Sequence, residues 1–323
     1  MVFARISALT LLLCAWGCDS TTPEPSDAAV PLTDAGGPLP DAGPQVGDLD
    51  SFATLAANSE GIAFGVDAAG APTLYVGVLG ASEIVSIAVD GTVSPFVSIP
   101  RPLGMAVRAD GNLVVCGKAD SSADAPGVLY EVTPAGAVTM LLSGDPSGAP
   151  LVLTNYIAVA PDDSLVFSDS EADLLYRADA DGSNITLVSD AISYPNGLAF
   201  SEDGAALYVA SWDTSTVFSL SFDRATGAYG APASFLADVD QVDGIVTLAS
   251  GALVLVTSSS GVLRAASGEA PSQILPVRAL LLPANGSAGV GAYGEEWVYL
   301  SSLGNSEVWR VRVGETGASL PIR

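Results

Sequence analysis

A short tag recurs six times in this chain, and its spacing constrains the fold more than any other feature. One variable residue, usually followed by Gly, precedes an apolar–small–apolar run. The tags are Glu60-Gly61-Ile62-Ala63-Phe64, Leu103-Gly104-Met105-Ala106-Val107, Asn155-Tyr156-Ile157-Ala158-Val159, Asn196-Gly197-Leu198-Ala199-Phe200, Asp243-Gly244-Ile245-Val246-Thr247 and Asn285-Gly286-Ser287-Ala288-Gly289. Successive tags lie 43, 52, 41, 47 and 42 residues apart, which is the period of a four-stranded propeller blade. Five of the six variable residues are Glu, Asn, Asn, Asp and Asn, all with side-chain oxygens. A propeller turns one repeated position into a ring about its axis. The sequence therefore predicts an all-β, six-bladed propeller with a central cluster of carboxylates and amides.

The segments between tags fit antiparallel blades. Each tag opens a strand that runs into a polar turn and a second apolar strand, as in Ala106–Arg108, Asp110-Gly111 and Leu113–Val115. Apolar runs broken by Asp-Gly or Ser-Gly read as hairpins. Third strands are expected at Ile84–Val89, Val128–Val132, Leu174–Ala178, Val217–Phe222, Gly261–Ala265 and Val308–Val313, with fourth strands such as Thr186–Val188 and Ser234–Leu236. Asp179–Asn184 has the look of a calcium loop but lacks the Glu six residues beyond Gly182, and it falls where a hairpin turn is needed. The last unit has three clear strands. Ser51–Ala56, which precedes the first tag, is expected to supply its fourth strand and close the ring.

The first 50 residues read as processing and linker sequence. Arg5 precedes a short apolar run that ends at Ala15-Trp16-Gly17-Cys18, too short to span a bilayer. The Gly17-Cys18 junction resembles a bacterial lipobox, so residues 1–17 are expected to be a lipoprotein signal peptide, with Cys18 the lipidated first residue of the mature chain. Residues 18–50 are rich in Pro, Ala, Gly and Asp and carry no basic residue. Such a segment cannot bury a core and is expected to stay disordered. The expected location is the bacterial cell envelope, lipid-anchored outside the cytoplasm, and residues 51–323 form the propeller.

Composition excludes several chemistries. The net charge of −25 argues against nucleic acid and anionic membrane surfaces as partners; membrane contact is expected through the lipid alone, and the chain is expected to be a monomer. There is no histidine, which removes His-dependent triads, His general bases and His-ligated zinc. Cys116 lies in an apolar strand and reads as a small buried thiol. Any metal must be a hard, oxygen-liganded cation. Calcium takes six to eight oxygens from carboxylates, amide carbonyls and water, in flexible geometry. Glu60 and Asp243 would balance its charge, and Asn155 and Asn196 would add neutral oxygens. Asn-Gly and Asp-Gly are also turn dipeptides, but turns alone do not account for donors at five of six equivalent positions, nor for Asn155, which precedes Tyr.

Ser59-Glu60-Gly61, the run from Tyr194-Pro195-Asn196-Gly197 to Leu207-Tyr208-Val209, and Val242-Asp243-Gly244 resemble the gluconolactonase/regucalcin-like family. The resemblance covers nearly all of residues 49–315. It implies a six-bladed propeller that binds one divalent ion, most often calcium, through Glu60, Asn155, Asn196 and Asp243, with a small-molecule lactone or ester as substrate. Asn285 is an additional donor. Sugar-lactone members carry Arg two residues before the equivalent of Asn155 and Asp just after it; here those places hold Leu153 and Tyr156, so gluconolactone itself fits poorly. On this reading Asp243 is the catalytic residue, as base or nucleophile. Asn285, Tyr156 and Trp212 are candidate substrate contacts, with Leu153 lining an apolar mouth. The alternative reading is a non-enzymatic, surface-anchored binding or scaffolding propeller with a structural calcium. Both rest on the same ring of donors.

Overall fold

The computed structural model describes residues 45–276 and 279–319. The expected signal peptide, Cys18 and the linker as far as residue 44 lie outside the described residues. Among the described residues, the strands form six antiparallel sheets joined by turns and short 3-10 segments. Each tag lies in or leads into the innermost strand of one sheet: Ser59–Val66, Met105–Val107, Thr154–Val159, Pro195–Phe200, Val242–Thr247 and Pro283–Ala288. Each inner strand touches the next, and the sixth touches the first. The fold is a closed six-bladed propeller.

The third strands expected at 174–178 and 261–265 occupy those residues, and the other four are displaced by only one or two positions. Asp179–Asn184 is the turn between Leu174–Ala178 and Thr186–Ser189, closed by the Asp179 N–H on the Ser183 carbonyl at 2.8 Å. Blade 4 carries an extra strand. Its long third strand, Thr216–Asp223, pairs first with Ala228–Tyr229 and then with Ala233–Leu236.

Closure uses the strand Leu49–Thr54, which pairs with Glu307–Arg312 as the outer strand of blade 6. It starts two residues earlier than the expected Ser51, inside the stretch read as linker. The reason is electrostatic: Asp50 pairs with Arg310 at 3.1 Å, and Arg310 stacks over Trp297 at 4.7 Å. Behind this strand, Phe52, Phe64, Tyr293 and Tyr299 form an edge-to-face cluster, with Phe52–Tyr299 and Phe64–Tyr293 centroids both 4.8 Å apart. Such pairs stabilise beyond their buried area by about 0.5–1.5 kcal/mol each. The Tyr293 hydroxyl donates to the Ile87 carbonyl of blade 1 at 2.7 Å, which joins the last blade to the first. The core consists of apolar clusters between adjacent blades, because alternate residues of a strand face opposite sides of its sheet.

The register slips at the start of five inner strands: between Ser59 and Ile62, Thr154 and Ile157, Pro195 and Leu198, Val242 and Gly244, and Pro283 and Gly286. These are the five blades whose tags begin with an oxygen donor. A β-bulge re-aims a side chain out of the alternation, and each bulge here contains the donor. Serine hydroxyls on second strands take up two of the freed backbone groups: Tyr156 N–H donates to Ser168 Oγ and Asn285 N–H to Ser301 Oγ, both at 3.0 Å.

Glycine after the donor lets neighbouring inner strands meet. A Cβ on Gly61 would lie 2.0 Å from the Leu103 carbonyl oxygen, and one on Gly197 2.3 Å from that of Asp243. Both obstacles are backbone, which cannot swing aside. Overpacking costs about 1–3 kcal/mol and sometimes more, and a domain of this size loses roughly 2–4 °C of Tm per kcal/mol. Gly61→Ala is expected to lower Tm by about 5 °C or more in differential scanning calorimetry. Met140→Ala, at a 49% exposed outer-strand position, is expected to leave it within about 2 °C.

Candidate metal centre and active site

All six inner strands run in the same direction, so their first residues lie at one end of the tunnel. The donors there are buried: Glu60 is 6% exposed, Asn155 6%, Asn196 3%, Asp243 4% and Asn285 1%. Asn155 Nδ2 donates to Asn196 Oδ1 at 2.8 Å, and the Asn196 side chain hydrogen-bonds Asp243. Three consecutive blades are thus linked through their side chains. Burial pushes the Asp243 carboxyl up to about 7, against the Asn196 hydrogen bond, which favours the ionised form. Burial also holds the Glu60 carboxyl well above the usual range; the Asp243 charge adds to this and the Arg101 charge opposes it. Hydrogen bonds thus link Asn155, Asn196 and Asp243, and the Asp243 charge acts on Glu60.

The sixth position, Leu103, offers no oxygen. It packs with Leu79, Cys116 and Leu129, and the half-buried Leu153 and Leu303 lie against the same cluster. One arc of the ring is polar and the arc on blade 2 is apolar. Cys116 is a free, fully buried thiol. Burial, then the charges of Glu60 and Asp169, raise it, so it stays neutral and is no ligand for a hard cation.

The three candidate substrate contacts are placed differently. Asn285 belongs to the ring. Trp212 is a half-buried rim residue; it follows Ser211, which pairs with Pro195 at the donor end, and its N–H donates to the Tyr194 carbonyl at 3.1 Å. Tyr156 lies below the ring and away from the mouth. It packs against Leu198 and Phe200 of blade 4 and lines a cavity of about 520 Å³ on the far side. Burial, then the Asp243 and Glu60 charges, raise its phenol.

The donor set fits a divalent cation on two observations. First, two carboxylates are buried with no ion pair between either of them and a basic residue among the described residues. Second, neither Oδ1 nor Nδ2 of Asn285 has a hydrogen-bond partner. Leaving a buried polar group unpaired costs about 1–3 kcal/mol, and native proteins hold few such groups. A hard cation with oxygen ligands would answer the first cost and the Oδ1 part of the second.

Several contributors were missed from sequence. Asp169 accepts from the N–H groups of Val152 and Leu153 at 2.9 and 2.6 Å and fixes the approach to Asn155. Buried Lys118 donates to the Val152 carbonyl at 2.7 Å, and burial lowers its ammonium, with Glu171 opposing. Arg101, at φ 46°, brings its charge to bear on Glu60. Ser168 and Ser301 occupy equivalent places at the ends of second strands, as do Asp169, Ser211 and Ser302. Aligning blades on their second strands as well as their tags would have marked them.

The sequence signature of the SMP-30/Gluconolactonase/LRE-like region matches residues 65–275. The chain belongs to this family. Asn155, Asn196 and Asp243 fall inside the matched span, and Glu60 and Asn285 outside it. Among solved structures, a gluconolactonase from Xanthomonas campestris is 22% identical with a TM-score of 0.68, over 82% of this chain and 89% of that one. Regucalcin of Agrobacterium tumefaciens, a calcium-binding protein, is 18% identical with a TM-score of 0.63, over 84% and 95%. These likenesses concern the fold. The pentonolactonase of Haloferax volcanii is 33% identical over 69 residues, which span 21% of this chain and 23% of that protein.

The metal-free chain is expected to carry the cost of its two buried carboxyls. Their folded-state values lie above the ordinary range near 4, so the contribution of these two groups to stability is fully present below about pH 4 and, for Asp243, is lost as pH rises through about 7. With chelator at pH 8, Asp243→Asn is expected to melt roughly 3–6 °C above wild type by scanning calorimetry. Excess calcium is expected to reverse that order, because the variant loses a charged ligand.

Proposed function

We propose that this propeller is a calcium-dependent hydrolase of lactones or related esters, working at the donor end of its tunnel. The observation that carries the reading is that the donors at the starts of five inner strands are all buried, two of them carboxylates, with Asn155, Asn196 and Asp243 joined by hydrogen bonds. Membership of the lactonase family and the names of the similar lactonases support the substrate class. The regucalcin likeness supports calcium.

A bound divalent cation would polarise the scissile carbonyl and offset charge developing on its oxygen. The side chains supply the rest. Asn155 and Asn196 orient one another through their mutual hydrogen bond and hold their amides toward the ring centre. Asp243 is hydrogen-bonded by Asn196 and keeps lone pairs free to accept a proton from attacking water or to attack directly. Leu79, Leu103, Leu153 and Leu303 form an apolar wall on the blade 2 side. That wall suits a substrate with a hydrocarbon arm better than a sugar acid, in keeping with Leu153 at the place where sugar-lactone relatives carry Arg.

The same reading puts a lipid on Cys18 and the protein in the cell envelope. Intact-mass measurement of detergent-extracted protein tests this: cleavage before Cys18 with added acyl mass is expected, and an unmodified soluble protein would end it.

For the chemistry, wild type is to be assayed on a panel of aliphatic and sugar lactones and aryl esters, with calcium or with chelator. Calcium-dependent turnover that favours aliphatic substrates is expected. Asp243→Asn is expected to lose about 10²–10⁴-fold in kcat, unrestored by excess calcium. Restoration would make Asp243 a ligand only. A wild type that holds calcium tightly yet turns over nothing on the panel would favour the binding propeller with a structural ion.

A further inference from the structure

Asn285 is distinct among the ring residues. Among the described residues it is the one whose two side-chain polar atoms are both buried and unpartnered. Its position is nonetheless tightly fixed. The backbone N–H donates to Ser301 Oγ at 3.0 Å, and that hydroxyl donates to the Glu60 carbonyl across the blade 6–blade 1 boundary. On the other side, Gly244 packs so closely that a Cβ there would stand 2.9 Å from Asn285 Oδ1. The residue thus lies between Glu60 of blade 1 and Asp243-Gly244 of blade 5, the two tags that carry the carboxylates, and its buried amide has no hydrogen-bond partner among the described residues. By contrast, Asn155 and Asn196 already satisfy part of their capacity through each other.

We infer that Asn285 Oδ1 is a fifth protein oxygen ligand for the cation held by Glu60, Asn155, Asn196 and Asp243. The inference rests on the metal-site reading above and extends it to a residue outside the span matched by the family signature. It has two consequences. With oxygens from five blades, the donor arc leaves its gap at Leu103 on blade 2, which packs with Leu79 and has Leu303 against the same cluster. And five protein oxygens in a flexible ring suit calcium, which takes six to eight ligands, better than magnesium, which keeps several waters in a strict octahedron. Asn285 is then a determinant of calcium selectivity.

The test uses the propeller-containing chain, stripped of metal, titrated with CaCl₂ and separately with MgCl₂ by calorimetry. The variants are Asn285→Leu and Asn285→Asp. Leu has the same branched outline as Asn with bulkier methyl groups, lacks an oxygen and removes the orphaned amide, so the variant is expected to fold and to melt at least as high as wild type in chelator. Its calcium Kd is expected to rise at least tenfold with little change for magnesium, and the thermal shift at fixed calcium is expected to shrink accordingly. Asn285→Asp keeps an oxygen and is expected to hold calcium at least as tightly as wild type. If wild type binds no calcium, the metal-site reading fails and this inference with it. If wild type binds calcium and Asn285→Leu binds it equally well, the fifth-ligand inference alone is overturned. An unchanged calcium Kd with a raised KM for a hydrolysed lactone would make Asn285 a substrate contact and overturn it likewise.

Discussion

Neighbouring inner strands meet at the axis through glycines that leave no room for a side chain, and the site depends on it. Gly61 lies against the Leu103 carbonyl, Gly104 against Asn155, Gly197 against Asp243 and Gly244 against Asn285. Without side chains at these points, six strands come near enough for residues from different blades to share one small volume. The bulges then turn the preceding residue of each donor blade toward that volume. Tight approach and bulge are needed together. Glycine alone would give a narrow channel, and bulges alone would give donors too far apart to act on one ion.

This arrangement sets stability against function. Glu60 and Asp243 are held in a site where burial and mutual repulsion disfavour their charged forms, and Asn285 presents an amide with nothing to bond. A propeller evolved for stability alone would fill these places with Leu, as blade 2 does at Leu103. The structure compensates at its perimeter and closure. Apolar clusters fill the blade interfaces, a few polar contacts such as Arg108–Asp163 cross them, and the aromatic cluster of Phe52, Phe64, Tyr293 and Tyr299 secures the ring at the point where its two ends meet. A strained, charged centre inside a closed and well-packed frame is the usual physical pattern of a binding or catalytic site.

The fold and the ring were legible because they repeat. A tag that recurs at blade spacing fixes the number of blades, the inner strands and the residues that share a face, and the third strands followed within two residues. What escaped was specific to one blade. The extra strand Ala228–Tyr229 in blade 4 has no counterpart to betray it. The closing strand begins at Leu49 because of Asp50 and Arg310, a pair 260 residues apart in sequence. Asp169, Ser168 and Ser301 act through single hydrogen bonds to backbone, and a chain rich in Ser and Asp offers no way to single them out until the blades are superposed.

Tyr156 shows how one departure from the repeat shapes the tunnel. It takes the place filled by glycine in the other five tags. Its neighbour Gly104 makes room: a Cβ there would lie 2.8 Å from the Tyr156 Cα and 3.2 Å from its Cγ. The phenol responds to the charges of Asp243 and Glu60, and the same side chain lines the far cavity, so it stands between the two. Beyond it the cavity is also lined by Thr316–Ser319, which run beside blade 5 through the Ala249 N–H on the Thr316 carbonyl and the Ala318 N–H on the Thr247 carbonyl, both at 2.9 Å. The tunnel thus has a polar, donor-lined end and a chamber of about 520 Å³ on the other side of Tyr156. On the lactonase reading, a substrate would meet the donors from the face bearing Leu153, Leu303 and Trp212. The chemistry of that face, more than the width of the tunnel, then decides what the ring receives.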